Sequence, residues 1–437
     1  MNYMNNLKAA IGLSRKWNAY EAGKEVAKDA LDKLGTNPDF FLLFSTIHYK
    51  DHGGFKEFLR GVWDILPEGT PLIGGTVTGF IIPRGCYARG ATALVVSYEK
   101  MDVAIGYGTE TKRNPEKATN MCIEMIKNGL KETKYQKKIL FNIVSGSITI
   151  KIPGYGYKKV IDSDFLSKSI VKFFSLMHYL TKKGLGREDE IFEMISKKLS
   201  DYKMILVSSS DNYKGFFNYQ FFKNKVLTNS MVSLGLATDL EFDVLTSYGV
   251  RKRDIKLEIT KVSKDGHIIQ EINNRPAVPE LYRILNWPPN FLSDETILNK
   301  ILYYPLSVKR GEKEVPLIMA MILKDFIVTP GKVKEGEVWI LEMSGKSLLN
   351  AVEDNLSSFK GISPAIGFSS LCVTLLQTLG NNVWDIRKAM LDYFKEKPFL
   401  ALFSTGEGTY SPQRGFHYAN MSYNTAVIGS KKISSKL

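Results

Sequence analysis

The stretch FFLLFSTIHYKDHGGFKEFLRGVW, residues 40–63, decides the fold class of this chain. Residues 40–47 form a continuous, mainly apolar run of strand length, and Gly53-Gly54 then breaks the pattern. After the glycines, apolar side chains recur at positions 55, 58, 59, 62 and 63, the spacing of one helix face. A buried strand followed by an amphipathic helix is the repeating unit of an α/β protein.

The same kind of pattern continues on both sides of this stretch. The spacing of apolar residues predicts helices over 19–34 and 115–130, and KILFNIVS at 138–145 predicts another buried strand. A strand is also predicted in TPLIGG, and ATALVVSYEKMDVAIGYG at 91–108 predicts two strands paired as a hairpin. The first part of the chain is therefore expected to be α/β.

Two segments of the chain resemble each other. MDVAIGYG at 101–108 and FDVLTSYG at 242–249 share Asp, Val, Tyr and Gly at one constant offset, as Asp102 and Asp243 illustrate. An internal duplication of an α/β unit explains this match, with a helical insert at about 164–199 inside the second copy.

Around residue 250 the pattern changes. KLEITKVSKDGHIIQEIN at 256–273 predicts two alternating strands joined by the turn Asp265-Gly266, and mixed strands and helices follow. We therefore predict a fold of the α/β and α+β classes. A duplicated α/β N-terminal domain over 1–252 is followed by a mixed α+β C-terminal domain over 253–437.

Composition and length limit the possible classes of protein. The chain has 437 residues, of which 44% are hydrophobic and 24% charged, so two or three folded domains are expected rather than a disordered chain. No run reaches the roughly 18 uncharged apolar residues of a membrane span. The N-terminus lacks an apolar signal core. We therefore expect a cytoplasmic protein without membrane insertion.

Cysteine and charge usage exclude further classes of site. Cys86, Cys122 and Cys372 are too far apart for a disulfide framework or a CxxC zinc motif. The net charge of +14 would attract polyanions, but the basic residues are dispersed among acidic ones, so a solvated surface is favoured over nucleic-acid binding. His48 and His52 could ligate a metal if this segment were helical, but Gly53-Gly54 favours a loop. The two histidines are then expected to contact a polar pocket or to lie on the plain surface. We assign no catalytic residue, metal or cofactor.

Ligands of α/β proteins bind beyond the carboxyl ends of the strands. Glycines after the strand near 72 could let the backbone approach a ligand or could simply form a tight turn, and the following arginine could bind a carboxylate. A second polar turn follows the strand near 205. The candidate ligand-binding residues at these two turns are Gly74, Gly75, Gly79, Arg84, Ser209, Asp211 and Asn212.

The C-terminal half adds two charged candidates at strand ends. Arg310 follows the strand-like run YYPLSVK, and Glu407 lies in Gly-Glu-Gly after FLALFST. An arginine that binds a carboxylate and a glutamate that accepts from an ammonium group would together complement an amino acid. The alternative is a pair of ordinary turn charges. His417 and Asn420 follow in the same region and complete the candidate set.

Several of these motifs occur in an order that resembles the FIST proteins. The motifs are IGLS, FLLFS, PLIGGTVTG, SSSDNYKG, ITKVSKDGHIIQEINNRPAVPELYRIL, YYPLSVKRG and FLALFSTGEGTYSPQRGFHYANMSYNTAV. The resemblance implies N-terminal and C-terminal FIST domains in tandem over nearly the whole chain. Ser208-Ser209-Ser210 departs from a Gly-Gly element common in the family. FSSLCVTLL departs from its usual FSC followed shortly by Arg.

The resemblance implies a sensory protein that binds a small polar ligand such as an amino acid. Members of the family occur with histidine kinases, diguanylate cyclases or methyl-accepting receptors. Because the two FIST domains occupy the length, we expect the signal to pass to a separate signalling protein. The alternatives are an enzyme on an α/β scaffold that acts on a small metabolite, and a basic nucleic-acid-associated protein. The sequence favours binding over catalysis and does not indicate an oligomeric state.

Overall fold

The computed structural model describes residues 7–149, 151–152, 154–180, 185–288, 297–310 and 313–430. These residues form a mixed α/β protein with three six-stranded sheets and one nine-stranded sheet. The predicted α/β and α+β fold class is therefore confirmed. None of the described helices is long and apolar enough to cross a membrane.

The first unit places four strands of one sheet against two helices. Its elements are β1 (Lys8–Ser14), α1 (Ala19–Leu34), β2 (Phe40–Ser45), α2 (Gly54–Trp63), β3 (Leu72–Thr76), β4 (Gly79–Ile82), β5 (Gly85–Tyr87) and β6 (Ala91–Ser97). The sheet order is β1-β6-β2-β3, with β2 and β3 parallel. The hairpin β4–β5 leaves this sheet and joins another.

The second unit repeats this topology around a helical insert. Its elements are β7 (Met101–Thr109), α3 (Pro115–Gly129), β8 (Lys137–Ser145), β9 (Val160–Ile161), α4 (Asp164–Leu180), α5 (Glu188–Lys198), β10 (Lys203–Ser209), β11 (Gln220–Phe222), β12 (Lys225–Leu227) and β13 (Ser230–Thr238). The order β7-β13-β8-β10, with β8 and β10 parallel, matches the first sheet.

The third unit begins with β14 (Glu241–Tyr248) and is interrupted by an inserted sheet. The insert contains β15 (Val250–Val262), β16 (Ile268–Ile272), β17 (Arg275–Pro276), α6 (Ala277–Leu285), α7 (Ile297–Leu302), β18 (Leu306–Arg310), β19 (Lys313–Leu317), β20 (Met321–Leu323), β21 (Phe326–Val328) and β22 (Gly336–Met343). Together with β9 of the second unit, these strands make the nine-stranded sheet.

After the insert, the third unit resumes the common topology. Its remaining elements are α8 (Gly345–Ser357), β23 (Ser363–Cys372), α9 (Val373–Leu379), α10 (Val383–Phe394), β24 (Phe399–Ser404), β25 (Glu407–Ser411), β26 (Gly415–Ala419) and β27 (Ser422–Ser430). The sheet order is β14-β27-β23-β24, with β23 and β24 parallel. The α/β topology therefore occurs three times along the chain.

Each unit donates a hairpin to the sheet of another unit. The hairpin β4–β5 pairs with β24, β11–β12 pairs with β3, and β25–β26 pairs with β10. Each six-stranded sheet is thus completed by two strands from elsewhere in the chain. The three sheets therefore depend on one another for their hydrogen bonding.

The three sheets also share one hydrophobic core. Phe44, Phe141 and Phe368 come from three different units, and the ring centre of Phe368 lies 6.0 Å from that of Phe44 and 5.2 Å from that of Phe141. Fully burying a phenylalanine contributes roughly 1.5–3 kcal/mol. Helices α1, α3 and α8 pack on their own units away from this shared core. The centre of the molecule thus belongs to all three units.

The structure bears out some local predictions and corrects one. The helix predicted over 19–34 is α1 with the same bounds. The hairpin predicted over 91–108 is wrong, because β6 pairs with β1 and β2 whereas β7 pairs with β13 in another sheet. The similar segments 101–108 and 242–249 form β7 and β14, the first strands of the second and third units. The predicted boundary after residue 252 falls inside β15, and the division into two domains stays a prediction.

Candidate functional site

The carboxyl ends of the parallel strands meet at one place in the molecule. The Ser208 N–H donates to the carbonyl of Gly406 at 2.8 Å, the Ser210 N–H donates to Thr76 O at 2.8 Å, and the Thr78 N–H donates to Phe403 O at 3.0 Å. These three bonds connect the strand ends of all three units. This is the position at which α/β proteins gather ligand-binding groups.

A buried cluster of polar side chains occupies the junction of the second and third units. We call it the interior polar cluster, and it consists of Lys112, Ser145, Glu188, Ser208, Glu407 and Tyr418. The Lys112 ammonium is 2% exposed and donates to Ser145 Oγ at 3.1 Å and to Gly146 O at 2.7 Å. Glu188 Oε1 accepts from Ser208 Oγ at 3.0 Å. An amine and a carboxyl are thus enclosed at the strand ends.

Gly406 allows this cluster to pack closely. A Cβ atom at that position would lie 2.6 Å from the hydroxyl of Tyr418, 2.7 Å from Ser208 Oγ and 3.3 Å from Glu188 Oε1. Real Cβ contacts are not that short, so any side chain at position 406 would displace these groups. The glycine after β24 therefore holds three polar side chains together.

Burial shifts the pKa values of the charged members of the cluster in the direction that favours their uncharged forms. Burial lowers the pKa of Lys112 to about 8, although the charge of Glu188 acts in the opposite direction. Burial likewise raises the pKa of Glu188 to about 7. Burial also raises the pKa of Glu407 well above its usual value, and a hydrogen bond from Ser404 opposes the shift. The cluster therefore holds groups that gain or lose protons close to neutral pH.

A cavity of about 730 Å³ lies between the second unit and the inserted sheet. We call it the basic cavity. Six of its lining residues are basic and three are acidic, namely Lys112, Arg113, Arg187, Lys264, Lys332 and Lys334 against Glu190, Asp265 and Glu335. Its volume is in the range of small-molecule sites. Lys112 lines the cavity and also belongs to the interior polar cluster, so the two are contiguous.

Charges on the cavity wall are held in a network. Arg187 makes a two-pronged contact with Glu190, at 2.9 and 2.6 Å, and Lys332 Nζ lies 3.3 Å from the same carboxylate. Burial alone would raise the pKa of Glu190, but the hydrogen bond and charge of Arg187 and the charge of Lys332 lower it. Glu190 is therefore an anion between two cations.

Arg310 lies beside both the cluster and the cavity wall. Its Nη1 donates to Asp189 Oδ2 at 3.4 Å, and its guanidinium carbon lies 5.4 Å from the ring centre of Tyr418. Nη2 is buried and has no hydrogen-bond partner among the described residues. A Cβ placed on Gly331 would lie 2.3 Å from Nη2, which puts the guanidinium next to the residue preceding Lys332. Arg310 thus has one donor group available at this junction.

The other C-terminal candidates are close by but enclosed. Glu407 is fully buried, and its Oε1 accepts from Ser404 Oγ at 2.9 Å. His417 lies 3.3 Å from the Tyr248 hydroxyl, and burial lowers its pKa to about 4. Asn420 Oδ1 accepts from the Ile318 N–H at 3.4 Å. The structure therefore brings Arg310 and Glu407 around Tyr418, while none of these three residues lines the basic cavity.

The glycine candidates of the first unit lie within strands. Gly74 and Gly75 are buried in β3 and pair with β2 on one side and β11 on the other. Gly79 begins β4 and pairs with Phe403. A Cβ on Gly74 would lie 1.7 Å from Leu43 O, so the glycine permits a close approach of β2 and β3. The structure gives these glycines a role in strand packing.

The remaining candidates have partners within the chain or lie at the surface. Arg84 forms an ion pair with Asp29. Asp211 accepts from the backbone N–H groups of three consecutive residues, 215–217, at 2.7, 2.6 and 3.2 Å. Ser209 Oγ donates to Val144 O, and the side chain of Asn212 is exposed. Only Ser209 of this group adjoins the interior polar cluster.

Lys112, Glu188 and Tyr418 were missed by the sequence reasoning. Lys112 lies in the polar run TKRNP and Glu188 in GREDE, which both have the composition of exposed loops. Their burial depends on packing between the second and third units, which no local pattern encodes. Within the described residues, no group of three or more His, Cys, Asp or Glu side chains is placed to hold a metal ion.

The fold and the site together define an α/β protein of three topologically equivalent units with a basic, small-molecule-sized cavity beside buried titratable groups. The chain belongs to the FIST family, because the FIST N domain matches residues 39–275. FIST domains are sensory domains, which supports a general role in signalling and small-ligand binding.

The comparisons with curated proteins and with solved structures do not indicate a function. No curated protein matches the chain. A cyanuric acid hydrolase from A. caulinodans is 8% identical with a TM-score of 0.24, and the match covers 53% of this chain and 71% of that one. PurLQS from Thermotoga maritima is 11% identical with a TM-score of 0.21, over 98% and 73% of the two chains. At these scores neither likeness bears on function.

Proposed function

We propose that this protein is a cytoplasmic sensor that binds a small anionic metabolite in the basic cavity and relays binding to a separate signalling protein. In this proposal residues 253–437 form the C-terminal FIST domain of a tandem pair, and the ligand contacts both halves. The observation that carries the proposal is the excess of basic over acidic side chains around an open cavity of about 730 Å³. A cavity whose lining carries an excess of positive charge concentrates anionic ligands.

The proposed ligand carries a carboxylate, and amino acids are the first compounds to test. Arg187 and Lys332 on the wall supply charge-assisted donors. Arg310 lies outside the lining, with its Nη2 buried next to Gly331, and stays a predicted contact for a ligand that extends past the wall. Glu190 provides an acceptor for an ammonium group beside these cations. Glu407 is fully buried in the interior polar cluster and does not line the cavity, and it stays a predicted contact.

Binding would act on the partner through the units that the cavity separates. The wall residues Lys112 and Arg187 belong to the second unit, whereas Lys332 and Lys334 belong to the inserted sheet. A ligand that bridges the two walls favours the arrangement in which they are close. Such a ligand shifts a partner's affinity only by its own preference for that arrangement.

Calorimetry with a panel of amino acids, dicarboxylates and other small anions tests this function. We expect one compound to bind the wild type, and Arg187→Ala with Lys332→Ala to reduce its affinity at least tenfold. The matched control is Lys131→Ala with Lys134→Ala, two exposed lysines after α3 that do not line the cavity. Equal affinity in both double variants would contradict the proposed site.

The second candidate function is an enzyme. It is favoured by Lys112, whose pKa of about 8 makes the neutral amine accessible and whose Nζ lies 3.1 Å from Ser145 Oγ. Incubation of the protein with each bound compound, followed by mass spectrometry, separates the two functions. Unchanged compound supports a sensor, and protein-dependent conversion that is lost in Lys112→Met supports an enzyme.

A further inference from the structure

A second cavity, of about 970 Å³, lies between helix α2 and strand β12. We call it the α2–β12 groove. It shares no lining residue with the basic cavity. One wall belongs to the first unit and the other to the hairpin donated by the second unit, β11–β12. The groove therefore lies where two units are joined.

Strand β12 is an edge strand. In the part of the chain that the structure describes, the sheet order β1-β6-β2-β3-β11-β12 ends at β12, which pairs with β11 alone. No other described strand pairs with its outer side, and such an edge can accept a further strand from another chain.

The floor of the groove is apolar. Leu59 on α2 is 1% exposed, and Trp63 and Val226, which pack in the same hydrophobic cluster, are half-buried beside it. The indole N–H of Trp63 is buried and has no hydrogen-bond partner within the described residues. An apolar side chain laid on this floor would be removed from water, at roughly 25 cal/mol for each Å² covered.

The rim of the groove is basic. Exposed Lys56 and Arg60 come from α2, and exposed Lys223 and Lys225 come from the hairpin, against one acidic lining residue, Glu68. Basic side chains on both sides of an apolar floor complement an acidic segment that also carries apolar residues.

We propose that an extended acidic segment of a partner protein adds to β12 as a seventh strand of this sheet and places an apolar side chain in the α2–β12 groove. Because side chains of a strand alternate, every second residue of the segment faces the floor on the α2 side, where Lys56 and Arg60 also lie. The other residues face the opposite side of the sheet, where Lys225 lies over the ring of Tyr107. The floor, in which Leu59 and Val226 lie beside the half-buried Trp63, fits leucine or valine, whereas a nucleic-acid base stacks on exposed aromatic faces.

The hairpin connects this groove to the interior polar cluster. Ser145 Oγ donates to Asn218 Oδ1 at 2.8 Å, and Gln220, the first residue of β11, donates to Ser209 Oγ at 2.5 Å. Lys112 bonds to the same Ser145 hydroxyl. A change in the hydrogen bonds of Lys112 would alter the position of β12 through these side chains. This relay rests on the proposed function, whereas the docking itself does not.

Fluorescence polarisation of the ligand-free protein with a labelled ten-residue peptide of alternating glutamate and valine tests the docking. We expect saturable binding that weakens at least tenfold in Lys223→Glu with Lys225→Glu. Lys131→Glu with Lys134→Glu makes the same change of charge away from the groove and should bind like the wild type. A peptide N-methylated on every residue should lose binding, because neither side of it has an N–H group left to pair with the edge strand.

Three results would overturn the docking proposal. They are undetectable binding at millimolar peptide, equal binding by the N-methylated peptide, and equal loss in both double variants. Displacement of the peptide by a short single-stranded RNA that binds more tightly would assign the groove to nucleic acid instead. Because no small ligand is added, failure here leaves the calorimetric test of the basic cavity unaffected.

Discussion

Among single residues, Lys112 and Glu188 have a burial that departs most from what is usual for their residue types. Charged side chains are almost never fully buried unless they are paired, yet both are more than nine-tenths buried at the strand ends. The neighbouring groups that hold them are hydroxyls and a backbone carbonyl. Their enclosure costs stability, and a cost of this kind is typical of functional sites.

The titration of Glu188 gives a prediction for the pH dependence of stability. Because its folded pKa of about 7 exceeds the usual 4.5, the native state binds more protons than the unfolded state in that window. Stability due to this group is therefore greatest below about pH 4.5 and falls as pH rises to 7. Glu188→Gln lacks this titration and should gain up to roughly 3 kcal/mol relative to the wild type across the window.

Urea unfolding at several pH values from 4.5 to 8 measures this difference. The control is Glu193→Gln, a half-exposed carboxyl on the same helix, α5. Because this side chain is half-exposed, its replacement should change stability far less than the replacement of Glu188. Parallel curves for Glu188→Gln and the wild type would mean that the buried carboxyl does not titrate in this range.

Arg310 carries the second residue-scale prediction. If its guanidinium binds the ligand carboxylate, Arg310→Ala and Arg310→Lys should each weaken binding by about 1.5–3 kcal/mol, because an ammonium cannot reproduce the planar contact. Calorimetry with the compound found for the wild type measures this. Arg251→Ala removes an exposed arginine of the same sheet and should leave affinity unchanged. Unchanged binding in both Arg310 variants would remove the residue from the site.

At the scale of elements, the loop between β10 and β11 is organised by Asp211. Three backbone N–H groups donate to its carboxylate, so Asp211→Ala should lower the free energy of unfolding by about 2–4 kcal/mol. Asn212→Ala, at the exposed neighbouring residue, should change it little. Urea denaturation compares the two. Unchanged stability in Asp211→Ala together with lost ligand binding would restore Asp211 as a ligand contact.

The elements themselves were largely predictable from the sequence, but their partners were not. Helix α1 follows from its apolar spacing and the stop at Gly35, and the capping box of Ser344 and Ser347 begins α8. Strands β6 and β7 were also found, but their predicted pairing was wrong. Local periodicity shows which face of a strand is buried and not which sheet receives it. The exchange of hairpins between sheets, and with it the burial of Lys112, could therefore not be predicted from the sequence.

For the whole molecule, the exchange of hairpins predicts one cooperative folding unit. A fragment of residues 1–252 would lack β24, β25 and β27, so β4, β10 and β14 would each lose a partner strand. We expect this fragment to aggregate or to unfold without a sharp transition in urea, whereas the full chain unfolds in one step. A monomeric fragment with a cooperative transition would show instead that the predicted N-terminal domain folds alone.

The central claim is that a small anion binds in the basic cavity between the second unit and the inserted sheet. A crystal structure of the protein purified from cell extract without added ligand, or soaked with the compound found by calorimetry, tests it most directly. We predict density for a small molecule whose acidic group lies within hydrogen-bond distance of Arg187 or Lys332. Density for the same molecule elsewhere, with the basic cavity holding solvent alone, would contradict the account.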